Sequence, residues 1–164
     1  MVLLASVGII FFTIRLAVDP ANWVVHGTGV AVCVYMWVRH AKVGRSNRTI
    51  ASSPSLHVIH DEATLGEVLA SDHAVLYKHS TRCPVSAIVI DEVRQFGETH
   101  PSWPVYVIQV IEHRRLSDIV AERLAVRHES PQALIINEGR CVWDTSHNGI
   151  TAQRLSQHVA SESK

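Results

Sequence analysis

The feature that most constrains the fold is an alternation, from His57 onward, between short apolar runs and amphipathic segments. Short runs rich in β-branched side chains predict strands, and apolar residues at helical spacing predict helices. The predicted strands are 57–60, 74–79, 105–110, 133–137 and 141–145. The predicted helices begin at Asp61, Pro84, Arg115 and Thr151.

The order of these elements indicates a mixed sheet. The first half, βαβαβ, requires crossovers between parallel strands, and the turn at Glu138-Gly139 predicts an antiparallel hairpin. A cysteine-bearing loop after the second strand, a helix opened by Pro84 and a Ser-Pro pair before the hairpin are typical of the thioredoxin layout. We therefore expect an α/β, thioredoxin-like fold, with a central mixed sheet flanked by helices.

The N-terminal part has a different character, because Arg15 and Asp19 are its only fully ionisable residues before Arg39. Two apolar runs, 2–18 and 21–38, are separated by Asp19-Pro20, where a helix is expected to break. At ~1.5 Å per residue, each run comes close to a ~30 Å hydrocarbon core. The expected organisation is a transmembrane hairpin serving as a membrane anchor, a polar linker and a thioredoxin-like domain, at 1–43, 44–56 and 57–164. A signal peptide, a buried hairpin or a single span are the alternatives.

Charge predicts the orientation of this anchor. A basic run follows the second apolar segment, and positive residues stay on the cytoplasmic side. We therefore expect a cell-membrane location through residues 2–38, with the domain facing the cytoplasm; the inverted, periplasmic topology is the alternative. The domain itself has no basic cluster, so a nucleic-acid partner is not expected.

Cys83 is the residue best suited to chemistry. It lies where a predicted helix begins, and free backbone N–H groups with the helix dipole favour a thiolate there. Arg82 adjoins it, and Lys78 and His79 are near in sequence, so each could stabilise negative sulfur. The competing interpretation is a small buried hydrophobe, the usual role of a free cysteine.

The spacing C-x-x-S, from Cys83 to Ser86, restricts the mechanism. A dithiol oxidoreductase would carry a second cysteine where Ser86 stands. The remaining chemistry is monothiol exchange, in which Cys83 attacks a disulfide and waits for an outside thiol. We predict Cys83 and Ser86 as the catalytic pair, with the Ser86 hydroxyl able to donate to the thiolate.

The other candidate ligands carry weaker signals. The three cysteines are too few and too far apart for a disulfide framework. We expect Cys141 to be packed in a strand and Cys33 to be inert. The eleven histidines are scattered, so neither a metal site nor a tightly bound cofactor is expected.

Three stretches of the chain resemble the monothiol bacilliredoxins of the YtxJ type: YKHSTRCPVSA, ESPQALII and CVWDTSHNGIT, at 77–87, 129–136 and 141–151. The resemblance implies a thioredoxin fold, a cytoplasmic protein and removal of bacillithiol, or a similar low-molecular-weight thiol, from thiolated proteins. That thiol would be a co-substrate, and Cys83 the nucleophile. Pro131 would be a cis proline beside it, and the predicted substrate-binding residues are Arg82, Pro84, Ser130 and Pro131. The N-terminal apolar pair departs from the family, and a non-catalytic binding module at the membrane is the alternative function.

Overall fold

The computed structural model describes residues 2–162, so Met1, Ser163 and Lys164, at the ends of two predicted ranges, lie outside the described residues. The chain divides into two compact units, 1–45 and 46–164. Helix α1 covers Val2–Val18, and after a single 3-10 turn at Pro20–Asn22, helix α2 covers Trp23–Ser52.

Strands and helices alternate through the second unit, as the apolar pattern predicted. The strands are β1 Leu56–Val58, β2 His73–His79, β3 Val105–Gln109, β4 Gln132–Asn137 and β5 Arg140–Ser146. The helices are α3 Glu62–Leu69, α4 Pro84–Thr99, α5 Arg114–Arg123 and α6 Ala152–Glu162, with a 3-10 turn at His147–Gly149.

The five strands form one mixed sheet in the order β1-β3-β2-β4-β5. β3 pairs in parallel with both β1 and β2, whereas β4 is antiparallel to β2 and to β5. This topology confirms the thioredoxin-like α/β fold. It also brings the end of β2 and the start of β4 to the same edge, because Lys78 pairs with Gln132.

Each face of the sheet carries its own apolar cluster, because successive side chains of a strand point to opposite sides. On one face, Val75 and Tyr77 of β2 pack with Phe96 of α4 and Leu155 of α6. On the other, Leu76 packs with residues of α3 and α5, including Leu65, Leu116 and Val120. We call the first the α4 face and the second the α5 face.

The prediction of two transmembrane helices is wrong. Among residues 2–162, no helix combines the length and the apolar character needed to cross a membrane. α1 has 17 residues and therefore extends only ~26 Å, against a ~30 Å hydrocarbon core. α2 is longer, but its C-terminal part carries Arg39, Lys42 and Arg45. The expected cell-membrane location, with the domain facing the cytoplasm, depended on these spans and is corrected with them.

The segment 44–56, predicted to be a polar linker, is helical as far as Ser52. Within this polar segment, two residues one helical turn apart are buried. Ser46 and Ile50 are 1% and 2% exposed, and Ile50 belongs to the apolar cluster of the α4 face. The last turns of α2 are therefore part of the second unit.

Candidate active site

Cys83 occupies the N-cap position of α4, with Pro84 as the first helical residue. Proline is favoured there because that N–H has no helical partner. The Cys83 backbone is fixed on both sides: its N–H donates to Ser80 O at 3.2 Å, and its carbonyl accepts from Ala87 N–H at 3.2 Å. The side chain makes no capping hydrogen bond and is half-buried. The half-buried Cys83 side chain therefore lies at the positive end of a 16-residue helix.

Ser86 is fully buried in the first turn of α4. Its hydroxyl oxygen accepts a hydrogen bond from the Ser80 amide at 3.2 Å, which closes the loop that carries Cys83. In the described part of the chain, no hydrogen bond joins this hydroxyl to Cys83. The contact that the sequence suggested between the two side chains is thus replaced by a contact that shapes the loop.

Beneath this turn, two aromatic side chains of β2 form a buried polar pair. The Tyr77 hydroxyl donates to the carbonyl of Ser86 at 3.4 Å, and His79 Nδ1 lies 3.4 Å from that hydroxyl. Burial raises the pKa of Tyr77 and lowers the pKa of His79 to about 4. His79 is therefore neutral near pH 7 and contributes no positive charge to Cys83, contrary to the expectation from sequence.

Lys78 is directed to the opposite face of the sheet. It is 0% exposed, and its Nζ has no hydrogen-bond partner in the part of the chain that the structure describes. Burial lowers its pKa to about 8, partly opposed by the charges of Asp118 and Asp144. Because α4 covers the other face, Lys78 cannot serve Cys83 as the sequence suggested. Arg82 remains as the adjacent cation, and it is exposed.

Ser130 and Pro131 lie at the same edge of the sheet as the Cys83 loop, immediately before β4. Their peptide bond is cis, as the resemblance implied, and the Pro131 carbonyl accepts from the His147 amide at 3.0 Å. Gln132 holds the preceding loop: it accepts from Glu129 N–H at 3.3 Å and donates to Arg127 O at 3.0 Å.

Two contacts near the site had no signal in the sequence. The Thr81 hydroxyl donates to Glu112 at 2.7 Å and so ties the Cys83 loop to the loop between β3 and α5. Gln132 Nε2 also donates to Asp144 at 3.1 Å. Both are contacts between residues far apart in the chain, which spacing alone does not predict.

Cys141 is positioned away from the candidate nucleophile. It packs against the apolar cluster of the α5 face, and its thiol donates to Trp143 O at 3.4 Å. Burial raises the pKa of this thiol to about 11. Within residues 2–162, no group of three or more His, Cys, Asp or Glu side chains is arranged to hold a metal ion.

Comparisons with known proteins agree with this geometry. The family model for the Monothiol bacilliredoxin BrxC matches residues 56–155. A solved structure described as a candidate oxidoreductase with a thioredoxin fold is 30% identical, with a TM-score of 0.58, over 63% of this chain and 92% of that one.

Two thioredoxins share the fold at lower identity. Mitochondrial thioredoxin 3 of Saccharomyces cerevisiae is 14% identical over 67% of this chain and 98% of its own, with a TM-score of 0.54. A thioredoxin mutant from Halobacterium salinarum is 19% identical over 67% and 93%, also with a TM-score of 0.54. With Cys83 at the start of α4, its C-x-x-S turn and a family match over residues 56–155, the chain belongs to the monothiol bacilliredoxin family and has a thiol–disulfide redox function.

Proposed function

We propose that this protein removes bacillithiol, or a similar low-molecular-weight thiol, from protein mixed disulfides through Cys83. The observation that carries the proposal is a half-buried cysteine at the start of α4, with a buried serine where a second thiol would stand. Cys141 lies on the α5 face and is held as a thiol, so it is poorly placed to resolve an intermediate.

The exchange has two steps. The Cys83 thiolate attacks the sulfur of the low-molecular-weight thiol, so that a new disulfide forms on Cys83 and the target protein leaves as a thiolate, which takes up a proton. A second molecule of the small thiol, as its thiolate, then attacks that sulfur. This step releases the small thiol's own disulfide and restores the Cys83 thiolate, so the second molecule of the small thiol is the reductant of the cycle.

Four residues would hold the substrate. Arg82, exposed next to Cys83, offers a guanidinium to anionic groups, and Pro84 shapes the start of α4. Ser130 and Pro131 would hold an extended substrate chain beside the sulfur. Ser130 supports this role because its Oγ is buried without a hydrogen-bond partner among residues 2–162.

Mass spectrometry of the full-length protein tests the proposal. Reduced protein is mixed with a bacillithiolated peptide and, separately, with the same peptide carrying glutathione. We expect an adduct on the Cys83 peptide that disappears when free bacillithiol is added, and faster capture from the bacillithiolated peptide.

The Cys83→Ser variant should form no adduct, whereas Cys141→Ser should keep its rate within about twofold, as is usual for a substitution away from the reacting group. Undiminished capture by Cys83→Ser would contradict the proposal. Equal capture from both peptides would contradict the assignment of bacillithiol and leave a general thiol exchanger.

A further inference from the structure

Three side chains and one carbonyl form a continuous chain of hydrogen bonds from the C-terminal part of α2 to the first turn of α4. Ser46 Oγ lies 3.3 Å from His79 Nε2. His79 Nδ1 lies 3.4 Å from the Tyr77 hydroxyl, which donates to the Ser86 carbonyl at 3.4 Å. All four residues are at most 1% exposed, so water does not compete for these contacts.

The donors and acceptors along this chain are compatible with only one histidine tautomer. The single proton of Tyr77 points to Ser86, so the Tyr77 oxygen must accept from His79 Nδ1–H. His79 Nε2 then carries a lone pair and accepts from the Ser46 hydroxyl. The lowered pKa of His79, caused by burial, keeps the ring in this neutral form near pH 7.

We infer that Ser46 is a positioning residue for the exchange reaction, acting through His79 and Tyr77 on the turn that holds Cys83. The inference rests on the proposed function above. Ser86 is joined to this chain through its carbonyl and to the Ser80 amide through its hydroxyl, so the chain and the loop meet at one residue.

Ser46 lies outside the part of the chain that matches the family. The family match begins at residue 56, so Ser46 comes from the helix that precedes the matched region. Nothing in the polar sequence around it marks it as part of a site. The helix before the matched region thus contributes a residue to the chemistry of the domain.

The first test measures the rate at which the full-length protein captures bacillithiol from a bacillithiolated peptide in a single turnover. Removing one buried hydrogen bond should slow capture about fivefold in Ser46→Ala and in Tyr77→Phe. The double variant should be no slower than the slower single variant, because both substitutions break the same chain. Ser52→Ala is the matched control: its hydroxyl lies on the same helix, is exposed and donates to Arg48 O at 2.9 Å.

The second test needs no activity. The ring ¹⁵N shifts of His79 should show the Nδ1–H tautomer, and Ser46→Ala should shift the Nε2 resonance while Ser52→Ala leaves it unchanged. Unchanged capture in Ser46→Ala would overturn the inference while the proposed function stands, whether or not the ring shifts change. A parent protein that captures no thiol would overturn both.

Discussion

Lys78 and His79 are neighbours in β2, yet their side chains lie on opposite faces of the sheet and differ in hydrogen bonding. On the α4 face, His79 takes part in a hydrogen-bonded chain that ends at Ser86. On the α5 face, the ammonium of Lys78 is buried without a hydrogen-bond partner in the described residues. The difference shows that strand alternation, and not closeness in sequence, decides which groups lie beneath Cys83.

The largest expected effect is on thiol reactivity at the α5 face. Because the pKa of Cys141 is raised from 9.0 to about 11, its thiolate fraction near pH 7.5 is about a hundredfold below that of an ordinary thiol. Alkylation of Cys141 should accelerate about a hundredfold when urea unfolds the chain. Peptide mapping separates it from Cys33 and Cys83. If Cys141 in the folded protein is alkylated within about threefold of its rate in the unfolded chain, the pKa of this thiol is not raised on the α5 face.

The next largest effect is the loss of stability at low pH that is caused by His79. Its folded pKa is about 4, against 6.5 for the ordinary group, so the unfolded chain binds more protons between these values. The free energy of unfolding should therefore fall with decreasing pH, by about 2 kcal/mol from His79 alone between pH 7.5 and pH 5. Urea unfolding of His79→Gln should show a smaller loss. His57→Gln, at an exposed histidine, should keep the full loss, and equal slopes in both variants would count against this assignment.

Lys78→Met tests the cost in stability of the buried ammonium on the α5 face. Replacing a buried ammonium by an apolar chain of similar length should raise the free energy of unfolding by about 2 kcal/mol at pH 7. The gain should shrink above pH 8, because the folded parent then releases a proton that the unfolded chain keeps up to about 10.5. Lys42→Met, at an exposed lysine, is the control. A less stable Lys78→Met would mean that the amine has a partner.

The smallest effect is expected for Ser86→Ala. The substitution leaves the Ser80 amide without its acceptor and should lower the free energy of unfolding by about 1 kcal/mol. Ser161→Ala removes an exposed hydroxyl from α6 and should change little. If Ser86→Ala unfolds at the same urea concentration as the parent, the loop does not depend on this hydrogen bond.

Much of the fold could be predicted because its helices and strands depend on residues that are close in sequence. The sequence predicts a helix that begins at Asp61, and the Asp61 carboxylate caps α3 by accepting from Thr64 N–H at 2.8 Å. Pro84 opens α4, and Cys83 lies at its start. Such features need only a few neighbouring residues, so periodicity and cap preferences reveal them.

The remaining features depend on contacts between distant residues. The polar composition of 44–56 indicated a linker, whereas burial of Ser46 and Ile50 extends the helix through most of it. The apolar runs suggested membrane spans because their lengths came near the required value, and the observed helices do not meet it. Spacing placed Ser86 near Cys83 but could not show that the Ser86 hydroxyl contacts Ser80.

Ile50 has a practical meaning for how this protein can be cut or recombined. It precedes β1, yet it shares an apolar cluster with Phe96 and Trp103. A fragment starting at Leu56 would leave a void there and open neighbouring apolar side chains to solvent. Gene fusions and truncations that begin at the start of the family match would therefore cut through one folding unit, so they should also include the residues from Ser46 onward.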